Sequence, residues 1–129
     1  MSKPDRTTYE ERVAEFLEPG EQVEKMLAGR PASFTRIFYP FGRINRQVLL
    51  TDRNLYVFEL EGSERRMGGT PSKVLSKHKR GSAPVRYQVL PATLIVGEEQ
   101  IRPAGRVMAA RGKPIARAAA TSSQTAGPP

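Results

Sequence analysis

The sequence predicts a mainly β domain, a small antiparallel barrel or sandwich of six or seven short strands with a short helix at each end. Three observations lead to this prediction. The apolar period changes from about 3.6 to about 2 near Gly20. Residues 47–60 alternate around a central turn, which is the pattern of a tight hairpin. Gly97-Glu98-Glu99 separates the two arms of a second hairpin.

The first helix is predicted at residues 7–17, where apolar residues recur at helical spacing. Pro19 and Gly20 end it, because proline disfavours a helical residue before it and glycine permits a left-handed turn. Residues 21–28 then alternate, which predicts a strand. Gly29-Arg30-Pro31 is expected to end that strand.

The central hairpin pairs residues 47–51 with 55–60 through Asp52-Arg53-Asn54, where Asp and Asn are expected to bond to the turn backbone. Further strands are predicted at 34–39, 73–79, 85–90, 93–96 and 100–103, and a short helix at 105–111. From residue 112 small and polar residues dominate without an apolar period. The predicted organisation is therefore a flexible start at 1–6, one domain at 7–111 and a disordered basic, Ala-, Ser- and Pro-rich tail at 112–129.

Two segments of the sequence are Leu17-Glu18-Pro19-Gly20-Glu21-Gln22-Val23 and Leu50-Thr51-Asp52-Arg53-Asn54-Leu55. They resemble the bacterial PH-like domains, which are relatives of the pleckstrin-homology and GRAM folds, and the small actinobacterial members in particular. The resemblance covers roughly residues 13–111. It implies a PH-like barrel that acts as an interaction module or oligomer and has no catalytic activity. In phosphoinositide-binding members the basic ligands lie around the loop between the first two strands. The matching stretch here, residues 25–36, lacks their tight basic pattern.

The net charge is +8, from 21 Lys and Arg against 13 Asp and Glu. One group of cations is a candidate anion-binding cluster: Arg65, Arg66, Lys73, Lys77, Lys79 and Arg80, with Arg43 and Arg46 near an earlier turn. An uninterrupted strand would place its three lysines on one face, since they have the same parity. Lysines on an edge strand also prevent edge-to-edge aggregation, which is the alternative account of this cluster.

The residue inventory favours binding over catalysis. The chain has no cysteine and one histidine, so a thiolate metal site and a cysteine nucleophile are excluded. Neither adjacent carboxylate pair, Glu10-Glu11 or Glu98-Glu99, is spaced to form an acid–base dyad. We therefore expect no enzymatic activity, no metal and no cofactor.

The expected function is a binding or scaffolding module with an unknown protein partner or a second copy of itself, and with weak affinity for an acidic lipid surface. A nucleic-acid-binding small β-barrel ranks behind it, with Tyr39, Phe41, Tyr56 and Tyr87 as stacking residues and Arg30, Arg43, Arg46 and Arg86 as phosphate contacts. No apolar run approaches the ~18–20 residues that span a bilayer, and the N-terminus lacks a signal peptide's apolar region. The expected location is cytoplasmic, with peripheral attachment to the inner face of the membrane as an option.

Overall fold

Seven strands form one antiparallel sheet in the part of the chain that the computed structural model describes, which is residues 11–32, 45–61 and 70–121. A helix, α1, occupies residues 11–16. The strands are β1 (Val23–Pro31), β2 (Arg46–Thr51), β3 (Asn54–Glu61), β4 (Thr70–Lys79), β5 (Val85–Gln88), β6 (Thr93–Val96) and β7 (Glu99–Pro103). Two helices follow, α2 (Gly105–Ala109) and α3 (Gly112–Ala119). The predicted mainly β class with a short helix at each end is confirmed, whereas the strand predicted at 34–39 lies outside the described residues.

β1 joins the two halves of the sheet, whose strand order is β4-β3-β2-β1-β7-β6-β5. It pairs with β2 from Val23 to Gly29 and with β7 from Gly29 to Pro31. A Cβ atom on Gly29 would lie 2.2 Å from the carbonyl oxygen of Arg102. The prediction that the strand ends before Gly29 is wrong, because β1 continues to Pro31. Gly29 lets β7 approach β1 closely instead of breaking the strand.

The sheet curves around its larger core. One cluster holds buried residues of both halves of the sheet together with the C-terminal helices, namely Leu27, Ala28, Val48, Leu50, Leu55, Val57, Leu94, Val96, Ile101, Met108, Ile115 and Ala119. A Cβ atom on Gly97, in the β6–β7 turn, would lie 3.6 Å from Nε2 of His78 in β4. The first half of the sheet therefore approaches the second. On the other face, Val13 of α1 packs on Leu49, Tyr56 and Phe58.

α3 corrects the disorder predicted from residue 112. Ile115 and Ala119 are fully buried one helical turn apart, so residues 112–121 belong to the folded domain. A Cβ atom on Gly112 would lie 2.2 Å from the ring of Tyr87, because the helix rests directly on that ring. The amphipathic pattern is hard to recognise in the sequence, because glycine and alanine supply most of the buried stripe. Residues 122–129 lie outside the described part.

The other boundaries differ at strand ends. β4 begins at Thr70, inside the predicted loop, and β5 ends at Gln88, two residues before the predicted limit. The β6–β7 hairpin and the first C-terminal helix form where they were predicted. Within the described ranges, none of the helices is long and apolar enough to cross a bilayer.

Candidate functional site

Glu21 is a buried carboxylate that lies between the first helix and β1, with 8% of its surface exposed. It accepts hydrogen bonds from the Tyr56 hydroxyl at 2.6 Å, from Nδ2 of Asn54 at 2.9 Å and from the Glu18 backbone N–H at 2.7 Å. The Thr51 hydroxyl is a fourth donor. Hydrogen bonds of this kind offset the cost of removing a charge from water. We call these five residues the Glu21 network.

The network changes the acidity of two of its members. Burial on its own raises the pKa of Glu21, but hydrogen bonds from Thr51, Tyr56, the Glu18 N–H and Asn54 outweigh it and hold this pKa below its usual value. Burial, followed by the hydrogen bond to Glu21, raises the pKa of Tyr56 well above its usual value. The carboxylate and the neutral phenol are therefore the forms that the fold favours.

The two segments that carry the PH-like resemblance contact one another through this network. Gln22 and Asp52 exchange hydrogen bonds of 2.9 Å, one to the Asp52 side chain and one between backbones. Nη1 of Arg53 donates to the Pro19 carbonyl at 3.0 Å. The Thr51 hydroxyl accepts from the backbone N–H groups of Arg53 and Asn54, which is the local turn bond that was expected of Asp52. Asp52 instead ties the hairpin to the start of β1.

Lys77 extends the network to the surface. Its Nζ lies 3.0 Å from the Glu18 carboxylate and 5.6 Å from the centre of the Tyr56 ring. The hydrogen bond from Lys77 is the main reason that the pKa of Glu18 lies below its usual value. This predicted anion-binding lysine is therefore already paired with a carboxylate.

Lys73 does not share a face with Lys77 and Lys79, so this expectation is wrong. The β3–β4 register shifts at two irregularities, so that Lys77 lies opposite Tyr56 whereas Lys73 lies opposite Glu59. Because Tyr56 and Glu59 point to opposite faces of β3, the extra residue at the bulge moves Lys73 to the other side of the sheet.

Arg80 is a structural residue. Its side chain is 2% exposed and its Nη1 lies 2.8 Å from the Glu24 carboxylate. The same nitrogen donates to the Thr51 carbonyl at 2.9 Å, and Nε donates to the Ala118 carbonyl at 3.1 Å. Arg80 therefore joins the central hairpin to α3, and its buried guanidinium leaves it outside any exposed cluster.

The remaining predicted cations do not form one patch within the described residues. Arg46 of β2 and Lys73 of β4 lie opposite Glu59 on either side of β3. Lys79 is exposed at the end of β4. Arg43, Arg65 and Arg66 lie outside the described residues. Of the five cations that can be placed, two are thus in salt bridges and two face a shared carboxylate.

A second group of cations lies outside the predicted anion-binding cluster. Of this group, only Arg30 and Arg86 were predicted from the sequence to bind an anion, as phosphate contacts of a nucleic-acid-binding barrel. Arg86, Arg106, Lys113 and Arg117 are exposed on β5, α2 and α3. Arg30 and Arg102 lie directly opposite one another on β1 and β7. Among the described residues no salt bridge joins any of these six to a carboxylate. The signal was present in the sequence, because residues 100–129 contain five bases and no acid.

A half-open groove of about 420 Å³ separates β1 from the C-terminal helices. Its lining contains both apolar and charged residues: Val23, Glu24, Lys25, Met26, Ala110, Arg111 and Pro114. Nη1 of Arg111 donates a 3.0 Å hydrogen bond to the Met26 carbonyl, which holds the side chain in the groove. The Glu24 carboxylate forms a salt bridge with Arg80. In the described ranges no group of three or more His, Asp or Glu side chains could hold a metal ion.

Comparison with family models, with curated proteins and with solved structures gave no match to this chain. The function of the chain is therefore inferred from its fold, from the Glu21 network and from the distribution of its cations.

Proposed function

We propose that this chain is a non-enzymatic PH-like binding module, which binds a protein partner or a second copy of itself and has weak affinity for acidic membrane surfaces. Two features support the PH-like class. The strands follow the order β4-β3-β2-β1-β7-β6-β5, and the C-terminal helices pack against the core face of the curved sheet. The segments that resemble PH-like domains also contact one another through Gln22, Asp52 and the Glu21 network.

The segregation of charge is the observation that carries the binding function. Exposed carboxylates such as Glu11 and Glu15 lie on α1, which covers one face of the sheet. The C-terminal helices on the other face carry Arg106, Lys113 and Arg117 and no carboxylate. A positively charged surface attracts a negatively charged partner. This supports binding to an acidic membrane, to an acidic protein surface or to the α1 face of a second copy.

Co-sedimentation with vesicles tests the membrane part of the proposal. We expect the protein to pellet with vesicles that contain an anionic lipid at low salt, to be released at high salt and to stay in solution with neutral vesicles. Equal sedimentation with neutral and anionic vesicles at low salt would contradict it.

Sedimentation velocity over a range of protein concentrations tests self-association. A salt-sensitive oligomer is expected if the two oppositely charged faces meet. A monomer at every concentration would remove self-association and leave a separate protein as the partner.

A nucleic-acid-binding barrel receives less support from the described residues. Tyr56 is fully buried, and the Tyr87 ring is in contact with α3 while its hydroxyl donates to the Ala109 carbonyl at 3.2 Å. Tyr56 therefore offers no face for base stacking, and the Tyr87 ring is already packed against α3. Detectable gel shifts with single-stranded DNA at moderate salt and micromolar protein would reverse this ranking.

A further inference from the structure

The β5–β6 turn presents two adjacent apolar side chains to solvent. Val89 is 64% exposed and Leu90 is 79% exposed, and we call this pair the apolar tip. Hydrogen bonds to the Pro91 carbonyl hold the turn, from Gln88 Nε2 at 3.2 Å and from the Thr93 hydroxyl at 2.9 Å. Because these hydrogen bonds within the turn hold its backbone, the side chains of the apolar tip project into solvent and do not line a groove.

The strand register places other features at the same end of the sheet. Gln88 pairs with Thr93, and Leu94 pairs with Ile101, so the turn lies at the end where β7 finishes and α2 begins. α2 carries Arg106, which is exposed, and Val107, which is 66% exposed.

Three further arginines lie on the outer face of this half of the sheet. Ile101 points into the core, so its neighbour Arg102 points outward, directly opposite Arg30 of β1. Arg86 lies on the same outer face, opposite Ile95 and two residues before the end of β5 at the turn. Like charges that face each other across two strands repel, and a bound anion relieves this repulsion. We call Arg30, Arg86, Arg102 and Arg106 the arginine rim.

The sequence keeps carboxylates away from this end. Residues 25–51, 80–97 and 100–129 contain no Asp or Glu. Glu98 and Glu99 lie at the β6–β7 turn, at the opposite end of these strands. Among the described residues, the apolar tip therefore lies at the same end of the sheet as Arg30, Arg102 and Arg106, none of which forms a salt bridge.

We propose that this end of the sheet docks on an anionic lipid bilayer, with Val89 and Leu90 entering the boundary between headgroups and acyl chains while the arginine rim binds lipid phosphates. The proposal rests on the membrane part of the proposed function. It places the contact at Arg106 of α2 together with arginines of the outer sheet face. A projecting tip suits a deformable bilayer better than a peptide, which needs a groove to lie in. The positive rim selects anionic over neutral lipid.

A single-tryptophan reporter gives a direct test, since the chain contains no tryptophan. Leu90→Trp places the reporter in the apolar tip. Glu98→Trp is the control, because Glu98 is exposed in the β6–β7 turn, at the opposite end of these strands. We expect the emission of Leu90→Trp to shift to the blue with vesicles of phosphatidylcholine and phosphatidylserine, and not with phosphatidylcholine alone. The emission of Glu98→Trp should not change with either vesicle.

Loss-of-function variants complete the test. Arg86→Glu should weaken anionic-vesicle binding at least five-fold, on the basis of about 1 kcal/mol per cation near the surface. Leu90→Ser should also weaken it, with circular dichroism spectra of both variants unchanged. If the wild type pellets with anionic vesicles while the Leu90→Trp emission stays constant, the inference is wrong and the membrane part of the proposed function survives. If the wild type does not bind anionic vesicles at low salt, both are wrong.

Discussion

The Tyr56 hydroxyl donates a 2.6 Å hydrogen bond to the Glu21 carboxylate, although the two residues are 35 positions apart in the chain. This bond joins β3 to the turn that follows the first helix. It completes the contact between the two segments on which the PH-like resemblance rests. The central hairpin and the start of β1 are thereby fixed to each other by a buried polar network, in addition to the apolar core.

Replacing Glu21 tests the contribution of this network to stability. Glu21→Ala should lower the free energy of unfolding by about 2–4 kcal/mol, because buried donors on Tyr56, Thr51 and Asn54 lose their acceptor. Urea denaturation monitored by circular dichroism measures the change. The exposed carboxylate of Glu15 provides the control, and Glu15→Ala should change stability by less than about 0.5 kcal/mol. A Glu21→Ala variant as stable as the wild type would contradict the account.

Stability should fall at both extremes of pH. The pKa of Glu21 is lower in the folded state, so its contribution is present above its ordinary pKa of about 4.3 and is lost as the pH falls through the folded value. The pKa of Tyr56 is raised, so its contribution is present below about pH 10 and is lost as the pH rises toward the folded value.

Tyr56→Phe isolates the alkaline limb of this pH dependence. Its unfolding free energy should be lower than that of the wild type by a constant amount between about pH 6 and 9, and this difference should narrow above about pH 10. Chemical denaturation at a series of pH values measures both curves. A difference that stays constant up to about pH 12 would show that the phenol does not titrate with the fold.

Arg80 should contribute strongly to the docking of α3. Arg80→Ala removes a buried cation that bonds to Glu24, Thr51 and Ala118, and we expect a loss of about 3–5 kcal/mol. Arg80→Lys should recover only part of it, since an ammonium lacks the planar fork of donors. Lys79→Ala, at the exposed neighbouring residue, should be nearly neutral. Equal stability of the Arg80→Ala and Lys79→Ala variants would show that Arg80 is not structural.

Substitution of two glycines distinguishes the cost of a steric clash from the cost of an unfavourable backbone conformation. Gly29→Ala should destabilise the fold by more than about 2 kcal/mol, because its Cβ would collide with the backbone of β7. Gly105 has a positive φ of 85° and open space around it, so Gly105→Ala should cost only about 1–2 kcal/mol. Thermal denaturation of the two variants shows which substitution lowers the stability more. Gly105→Ala as the more damaging change would contradict the close approach of β1 and β7.

The sequence was sufficient to predict most elements because their signals are local. The Asp52-Arg53-Asn54 turn and the Gly97 turn are encoded within a few residues, and both hairpins formed at the predicted turns. The break predicted at Gly29 and the disorder predicted for residues 112–121 were wrong for a shared reason. In both cases a small residue was interpreted by its own propensity, whereas its role is to let β7 or Tyr87 approach closely. Such contacts depend on tertiary structure.

The candidate site was less predictable than the fold. Sequence parity placed Lys73 beside Lys77, but the bulges in β4 place it opposite Glu59. Nothing local indicated that Arg80 would be buried beside Glu24, or that Glu21 would be the centre of a network. The absence of acidic residues after residue 99 can be seen in the sequence. However, the cations of α3 were assigned to the predicted disordered tail and were therefore not considered as part of a site.

The central claim is that anion binding belongs to the arginine rim and not to the lysines of β4. Two double variants compare them at the same net charge: Arg86→Glu with Arg106→Glu, and Lys73→Glu with Lys79→Glu. All four residues are exposed, and each substitution changes the charge by −2, so +8 becomes +4 in both proteins. The measurement is co-sedimentation with anionic vesicles at low salt. We expect the arginine variant to lose at least ten-fold in affinity and the lysine variant to lose less than three-fold, based on about 1 kcal/mol per cation at the docking surface. Equal losses, or a larger loss in the lysine variant, would contradict the claim.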